Sequence, residues 1–262
     1  GEDLIGAVAY RGGKILRLPT PAPTTNGCGT RYYGNYVNYL YNTYSNGTDL
    51  TTGTIPTDYR MNVARTVTTS LVNNTPGVRF GVSRFYEGQT SDSSLDNYYG
   101  HGAQIDAACG SSTSSITSAI SGYTASTNTP LAEAYYELTR YFRGMSSYYR
   151  SGVTHTSPLQ YRCQKNFIIV ITDGLPTRDT TFPTDDPDDV ANTSFALPNW
   201  DALAPTTSTG AYPNFPQYSD GFQPTGTSAQ EGYSLYLDDL AKFGYDVDMK
   251  TSGTDDAGGS WQ

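Results

Sequence analysis

Apolar positions along this chain change period several times, and each change marks an element. Residues 4–10 and 14–18 read as two short strands, with Arg11-Gly12-Gly13 as the turn between them. Pro19, Pro21 and Pro23 then stop regular structure. From Tyr33 to Tyr44 the spacing of Tyr33, Tyr36, Val37, Leu40, Tyr41 and Tyr44 has helical period. A clearer helix follows a polar loop. Thr57 or Asp58 caps it, and Met61, Ala64, Val67, Thr68 and Leu71 share one face. Residues 78–85 (VRFGVSRF) alternate as a strand does, and Gly81 marks a close approach of backbone within it.

Farther along, residues 103–108 predict a short edge strand and residues 111–120 a Ser/Thr-rich helix of low propensity. Thr129-Pro130-Leu131 opens a stronger helix, with Pro at its favoured first position and Gly144 past its end. Its predicted apolar face is Leu131, Ala134, Tyr135, Leu138 and Phe142. Residues 167–172 (FIIVIT) are continuously apolar and β-branched, which predicts a strand buried on both faces of a parallel sheet. Asp173 stands at its carboxyl end, where open α/β sheets bind ligands. Residues 175–227 lack periodicity, and an irregular stretch of that length is often functional. Helical spacing returns at residues 233–243. Helix, turn and strand in succession predict an α/β fold. The whole chain, 1–262, reads as a single domain: an N-terminal hairpin with a Tyr-rich insertion (1–57), a core (58–174), a long loop insertion (175–232), then a helix and polar tail (233–262).

Composition narrows the setting. Charged residues are only 16% of the chain, and the balance is made up by Ser, Thr, Asn, Gly and 23 Tyr. Such a neutral, Tyr-rich surface suits an exported protein that touches other surfaces. The net charge of -9 excludes nucleic acid as a partner and disfavours anionic lipid. No apolar run reaches the length of a membrane span. Cys28, Cys109 and Cys163 form no C-x-x-C pair, so structural zinc is excluded and one disulfide with one leftover thiol is expected. Asp185, Asp186, Asp188 and Asp189 cluster without the spacing of an EF-hand, so they read as a solvated acidic loop, with Ca²⁺ as the alternative. His101 and His155 stand in no metal or triad spacing.

Three segments together resemble one family: TPLAEAYYELTRYFRG (129–144), CQKNFIIVITDGLPT (163–177) and YSLYLDDLAKFGYDVDMKTSGTDDAGGS (233–260). With RMNVARTVTTSLV and GVRFGVSRF upstream, they are similar to the N-terminal region of PilC/PilY-type type IV pilus tip proteins, from about Tyr33 to the end. That resemblance implies a von Willebrand factor A-like (Rossmann-like) fold: a wound, mostly parallel sheet with helices on both faces, here with long loop insertions. It also implies a metal-ion-dependent adhesion site, in which three loops hold Mg²⁺ or another divalent cation through oxygen ligands. By position, Thr129 matches the second-loop threonine and Asp173 the third-loop aspartate. The first loop, D-x-S-x-S, has no match before the helix at residues 61–71; Asp92-Ser93-Ser94-Leu95-Asp96 follows a strand and is misplaced. The chain is therefore expected to be an interior piece of a longer protein, lacking some strands.

Thr129 also stands where a helix N-cap stands, and Asp173 where a residue caps a turn. Cys109 and Cys163, each beside a predicted sheet strand, are the expected disulfide, leaving Cys28 free or paired elsewhere. The implied function is non-catalytic: adhesion and pilus biogenesis outside the cell at the pilus tip, after transit through the periplasm. Implied partners are minor pilins, a host or abiotic surface receptor, and a C-terminal propeller of the same protein. A secreted carbohydrate-active enzyme with paired carboxylates, or a purely structural tip module, are the alternatives.

Overall fold

The computed structural model describes residues 8–11, 14–17, 59–88, 100–172, 176–177, 179, 181, 183–186, 196–202, 206–208, 218–220 and 236–261. The chain divides into two compact units, Gly1–Thr66 and Val67–Gln262. In the first, strands β1 (Val8–Arg11) and β2 (Lys14–Arg17) pair antiparallel, with Arg11 opposite Lys14. The two residues between them in the sequence are Gly12-Gly13, a pair favoured in tight hairpin connections. The helix expected between Tyr33 and Tyr44, and Cys28, lie outside the described residues.

The second unit is mixed α/β. Helix α1 (Tyr59–Asn74) contains the boundary between the units. Strands β3 (Val82–Phe85) and β4 (Ala103–Ala107) pair antiparallel, with a register shift at Val82/Ser83. Helix α2 (Thr113–Ser121) starts from Ser112, whose hydroxyl accepts from Ser115 N at 3.1 Å. Helix α3 (Leu131–Arg143) ends at Gly144, whose φ of 72° is the left-handed cap that glycine adopts without strain. A 3₁₀ turn (Leu197–Asn199), a short pair β5 (Thr206–Ser208) and β6 (Tyr218–Asp220), and helix α4 (Leu237–Asp246) complete the described elements.

Three apolar clusters hold these elements. Ala132, Tyr136, Tyr149, Leu197, Trp200, Tyr236, Leu240 and Phe243 join α3 to the 3₁₀ turn and α4. Trp200 meets Phe243 edge-on, with ring centroids 5.0 Å apart. Val72, Ala107, Ile116 and Ile120 join α1, β4 and α2. Tyr141, Phe142 and Leu159 form the third, with Ile105, Ile168 and Trp261 against them.

Several expectations from the sequence change here. Every described strand pair is antiparallel and two-stranded, so the wound parallel sheet is not what these residues form. β3 closes on β4 by a local return of the chain, which removes the crossover that a parallel pair needs. Residues 167–172 belong to no strand, and Phe167, Ile169, Val170 and Ile171 are exposed. An apolar run shows that a segment needs burial, but it does not supply the neighbouring strands. On α1, Val67 and Leu71 of the expected apolar face are exposed, and Val72 is buried instead.

Gly81 does stand at a close approach. A Cβ there would lie 2.7 Å from Cys109 N and 2.9 Å from Cys109 Sγ. The backbone neighbour is tied down, since Cys109 N donates to Tyr141 Oη at 2.8 Å and the adjacent Gly110 N donates to Phe80 O at 2.9 Å. Gly81→Ala is therefore expected to cost about 1–3 kcal/mol through overpacking. Thermal or urea unfolding checks it, and an unchanged midpoint would contradict the packing described.

Candidate functional site

Helix α3 carries an ionic face into the interior. Glu133 and Glu137, one turn apart, are fully buried, which the apolar pattern of the helix did not reveal. A carboxylate taken out of water must find charge or N–H partners, and each does. Glu133 Oε2 lies 2.9 Å from His101 Nδ1 and accepts from Gly102 N at 3.1 Å, while its Oε1 accepts from Thr181 N at 2.7 Å. Glu137 Oε1 lies 2.7 Å from His155 Nε2, and its Oε2 accepts from Tyr148 N at 3.0 Å. The two histidines of the chain, isolated in sequence, thus serve as partners for two glutamates of one helix.

The start of α3 is capped from a distance. Pro130 precedes the helix and offers no side-chain cap. Instead the fully buried Asp179 accepts from Ala132 N through Oδ2 and from Glu133 N through Oδ1, both at 2.9 Å. A carboxylate against free N–H groups and the positive end of the helix dipole is a favourable match. Beside it, Thr129 N donates to Thr177 Oγ1 at 2.9 Å and Thr177 N donates back to Thr129 O at 3.1 Å. At the other end of α3, Asp186 takes a two-pronged bond from Arg143, at 2.6 and 2.9 Å, and accepts from Tyr136 Oη at 2.8 Å. Thr177, Asp179, Thr181 and Asp186 therefore tie residues 177–186 along the length of the helix.

Electrostatics follow from burial. Burial pushes the Asp179 carboxyl well above its ordinary range, and the Glu133 charge adds to that shift. Glu133 is also raised by burial, against the pull of His101 and two backbone N–H groups. Burial alone lowers an imidazole, yet the hydrogen bond and charge of Glu133 hold His101 above its ordinary 6.5. Tyr149, packed among these carboxylates, is pushed far up by burial and by their charges, and its hydroxyl has no hydrogen-bond partner among the described residues.

Of the residues expected to bind a cation, Thr129 is half-buried at the mouth of α3, and its hydroxyl makes no hydrogen bond with a described residue. Asp173 lies outside the described residues. Asp179 and Glu133, at the first turn of α3, are spent on backbone N–H groups. Among the described residues no three His, Cys, Asp or Glu side chains gather as a metal site. The Thr129 hydroxyl fits a hard cation as one neutral oxygen donor.

The acidic loop is not simply solvated. Asp186 is buried in its pair with Arg143, whereas Asp185 is exposed, and Asp188 and Asp189 lie outside the described residues. The expected Cys109–Cys163 disulfide is not formed, and both are free thiols. Cys109 is held half-buried against Gly81 and Tyr141, while Cys163 sits exposed in a turn.

Comparison with protein-family models, curated proteins and solved structures finds no match to this chain.

Folded His101, Glu133 and Asp179 all retain protons that the unfolded chain releases at lower pH. When the native state binds more protons, stability falls as pH rises. That window opens above the ordinary acid values of 3.8 and 4.5 and runs past the imidazole value of 6.5. The melting temperature is expected to fall from about pH 5 to about pH 8, and to fall less in Glu133→Gln. A melting temperature that climbs across that range would exclude the arrangement.

Proposed function

We propose that this chain is a non-catalytic adhesion or assembly module of a PilC/PilY-type pilus tip protein, acting outside the cell on minor pilins or a surface receptor. The observation that carries the proposal is the pair of hydrogen bonds between Thr129 and Thr177. They join the loop before α3 to the segment that follows residues 167–172. Those are the two loops that the family resemblance assigns to an adhesion site. The proposal rests on these loops and on the three sequence segments, not on the sheet.

A carbohydrate-active enzyme gains no support from the buried acids. A glycosidase needs two carboxyl groups facing its substrate. Glu133 and Asp179 are fully buried, and their oxygens are engaged by backbone N–H groups and His101.

The soluble chain, in excess, is expected to lower the attachment of type IV-piliated cells to the surfaces they colonise, and to co-elute with minor pilins. If it does neither, the proposal fails. Thr129 and Asp173 are the proposed ligands for a divalent cation, which would offer an open position to a partner's carboxylate. Calorimetric titration with Mg²⁺, Mn²⁺ and Ca²⁺ is expected to show saturable binding that Thr129→Ala and Asp173→Ala each abolish. Binding unchanged in both variants would remove the metal from the reading.

A further inference from the structure

Two chemical kinds of tie fasten residues 177–186 to α3. The outer ties do not titrate near neutral pH. Thr129 N donates to Thr177 Oγ1 at 2.9 Å, and Thr177 N donates to Thr129 O at 3.1 Å. Asp186 meets the Arg143 guanidinium at 2.6 and 2.9 Å, and an arginine keeps its charge far above neutral pH. Between these posts the ties are made on two buried acids. Asp179 accepts from Ala132 N and Glu133 N, both at 2.9 Å, and Thr181 N donates to Glu133 Oε1 at 2.7 Å.

Glu133 is charge-balanced by a group that titrates. His101 Nδ1 lies 2.9 Å from its Oε2. His101 Nε2 meets no partner among the described residues, so the imidazole answers to Glu133. The other groups facing Glu133 are Gly102 N, Thr181 N, Asp179 and the Tyr149 hydroxyl, which stays protonated. Glu137, one turn farther along α3, bonds Tyr148 N and His155 and so holds a different part of the chain. Together His101 and Glu133 hold one titrating proton that cancels the glutamate charge. Once it leaves, Glu133 keeps a full negative charge out of water beside Asp179, and the two like charges repel. Moving Asp179 and Thr181 off the helix admits water to both acids. The Glu133 hydrogen bond and charge hold His101 above its ordinary 6.5, which sets this change on the alkaline side of that value.

We propose that Asp179 and Thr181 form a proton-controlled strap, closed on the first turn of α3 while the His101–Glu133 pair keeps its proton and lifted when that proton is lost, with Thr177 and Asp186 as fixed posts on either side. The proposal does not depend on the adhesion reading, because the strap is observed in the purified chain alone.

Residue-resolved amide exchange from about pH 6 to about pH 9, with the intrinsic rate at each pH divided out, tests it. Protection at Thr181 N, Ala132 N and Glu133 N is expected to fall by up to about tenfold per pH unit, the limit for one proton. Thr177 N, and Leu197 N, which donates to Thr184 O at 2.7 Å, are expected to keep their protection. Glu133→Gln is expected to flatten the fall, whatever its baseline, because no charge can then appear at that position. His155→Gln is expected to retain it. Level protection at Thr181 N, an equal fall at Thr177 N and Leu197 N, a fall that survives Glu133→Gln, or one abolished by His155→Gln would each overturn the proposal.

Discussion

Helix α3 buries charge, and that constraint arranges everything around it. Glu133 and Glu137 cannot be taken out of water alone. His101 and Gly102, just before β4, are drawn to Glu133, and Tyr148 and His155 are drawn to Glu137. Thr181 completes Glu133, Asp179 closes the helix N-terminus, and Asp186 holds Arg143. Three separate stretches of chain are thus fixed against one helix by directional bonds. Apolar packing of Ala132 and Tyr136 on Leu240 and Phe243 supplies the non-directional part. Removing one member of a buried ion pair costs about 3–5 kcal/mol, because its partner stays charged in a poor solvent. The charges on α3 therefore specify one arrangement more than they add to net stability.

This unit distributes polarity unusually. Acids lie inside, while an apolar run from Phe167 to Ile171 lies largely outside. Both placements break the usual preference for charged surface and apolar interior. The first is resolved within the unit, since Glu133, Glu137, Asp179 and Asp186 are each hydrogen-bonded. The second is not, since the run has one inward anchor at Ile168 and, among the described residues, no strand beside it. Exposed apolar surface of that kind acquires a meaning only through what covers it.

Local rules read much of this fold. The hairpin around Gly12-Gly13, the stop at Gly144 after α3, and the close approach at Gly81 are short-range signals that mark real features, whereas Pro130, expected as the first helical residue, stands one position before α3. What escaped the sequence is non-local. Asp179 caps a helix that begins 48 residues earlier, and nothing near it in sequence announces that bond. Glu133 and Glu137 stand outside the apolar face that periodicity assigned to this helix. The only hint was that two glutamates one turn apart matched two otherwise unexplained histidines. Residues 167–172 misled for a related reason. Composition shows that a segment suits a buried strand, but pairing depends on partners elsewhere in the chain.

Thr129 shows how the cap bears on the site. A threonine just ahead of a helix commonly spends its hydroxyl on the first free N–H groups. Here Asp179 already occupies those of Ala132 and Glu133, and Thr177 takes the Thr129 backbone on both sides. The threonine is held in place by its main chain, and its hydroxyl has no structural duty toward a described residue. A long-range carboxylate cap therefore has a consequence beyond stability. It leaves the half-buried Thr129 hydroxyl unused by the cap, on a backbone positioned by its bonds to Thr177. Were the hydroxyl itself the cap, binding a ligand through it would uncap α3, and recognition would work against folding. On the proposed adhesion reading, a cap supplied by Asp179 would leave cation binding at Thr129 uncoupled from folding.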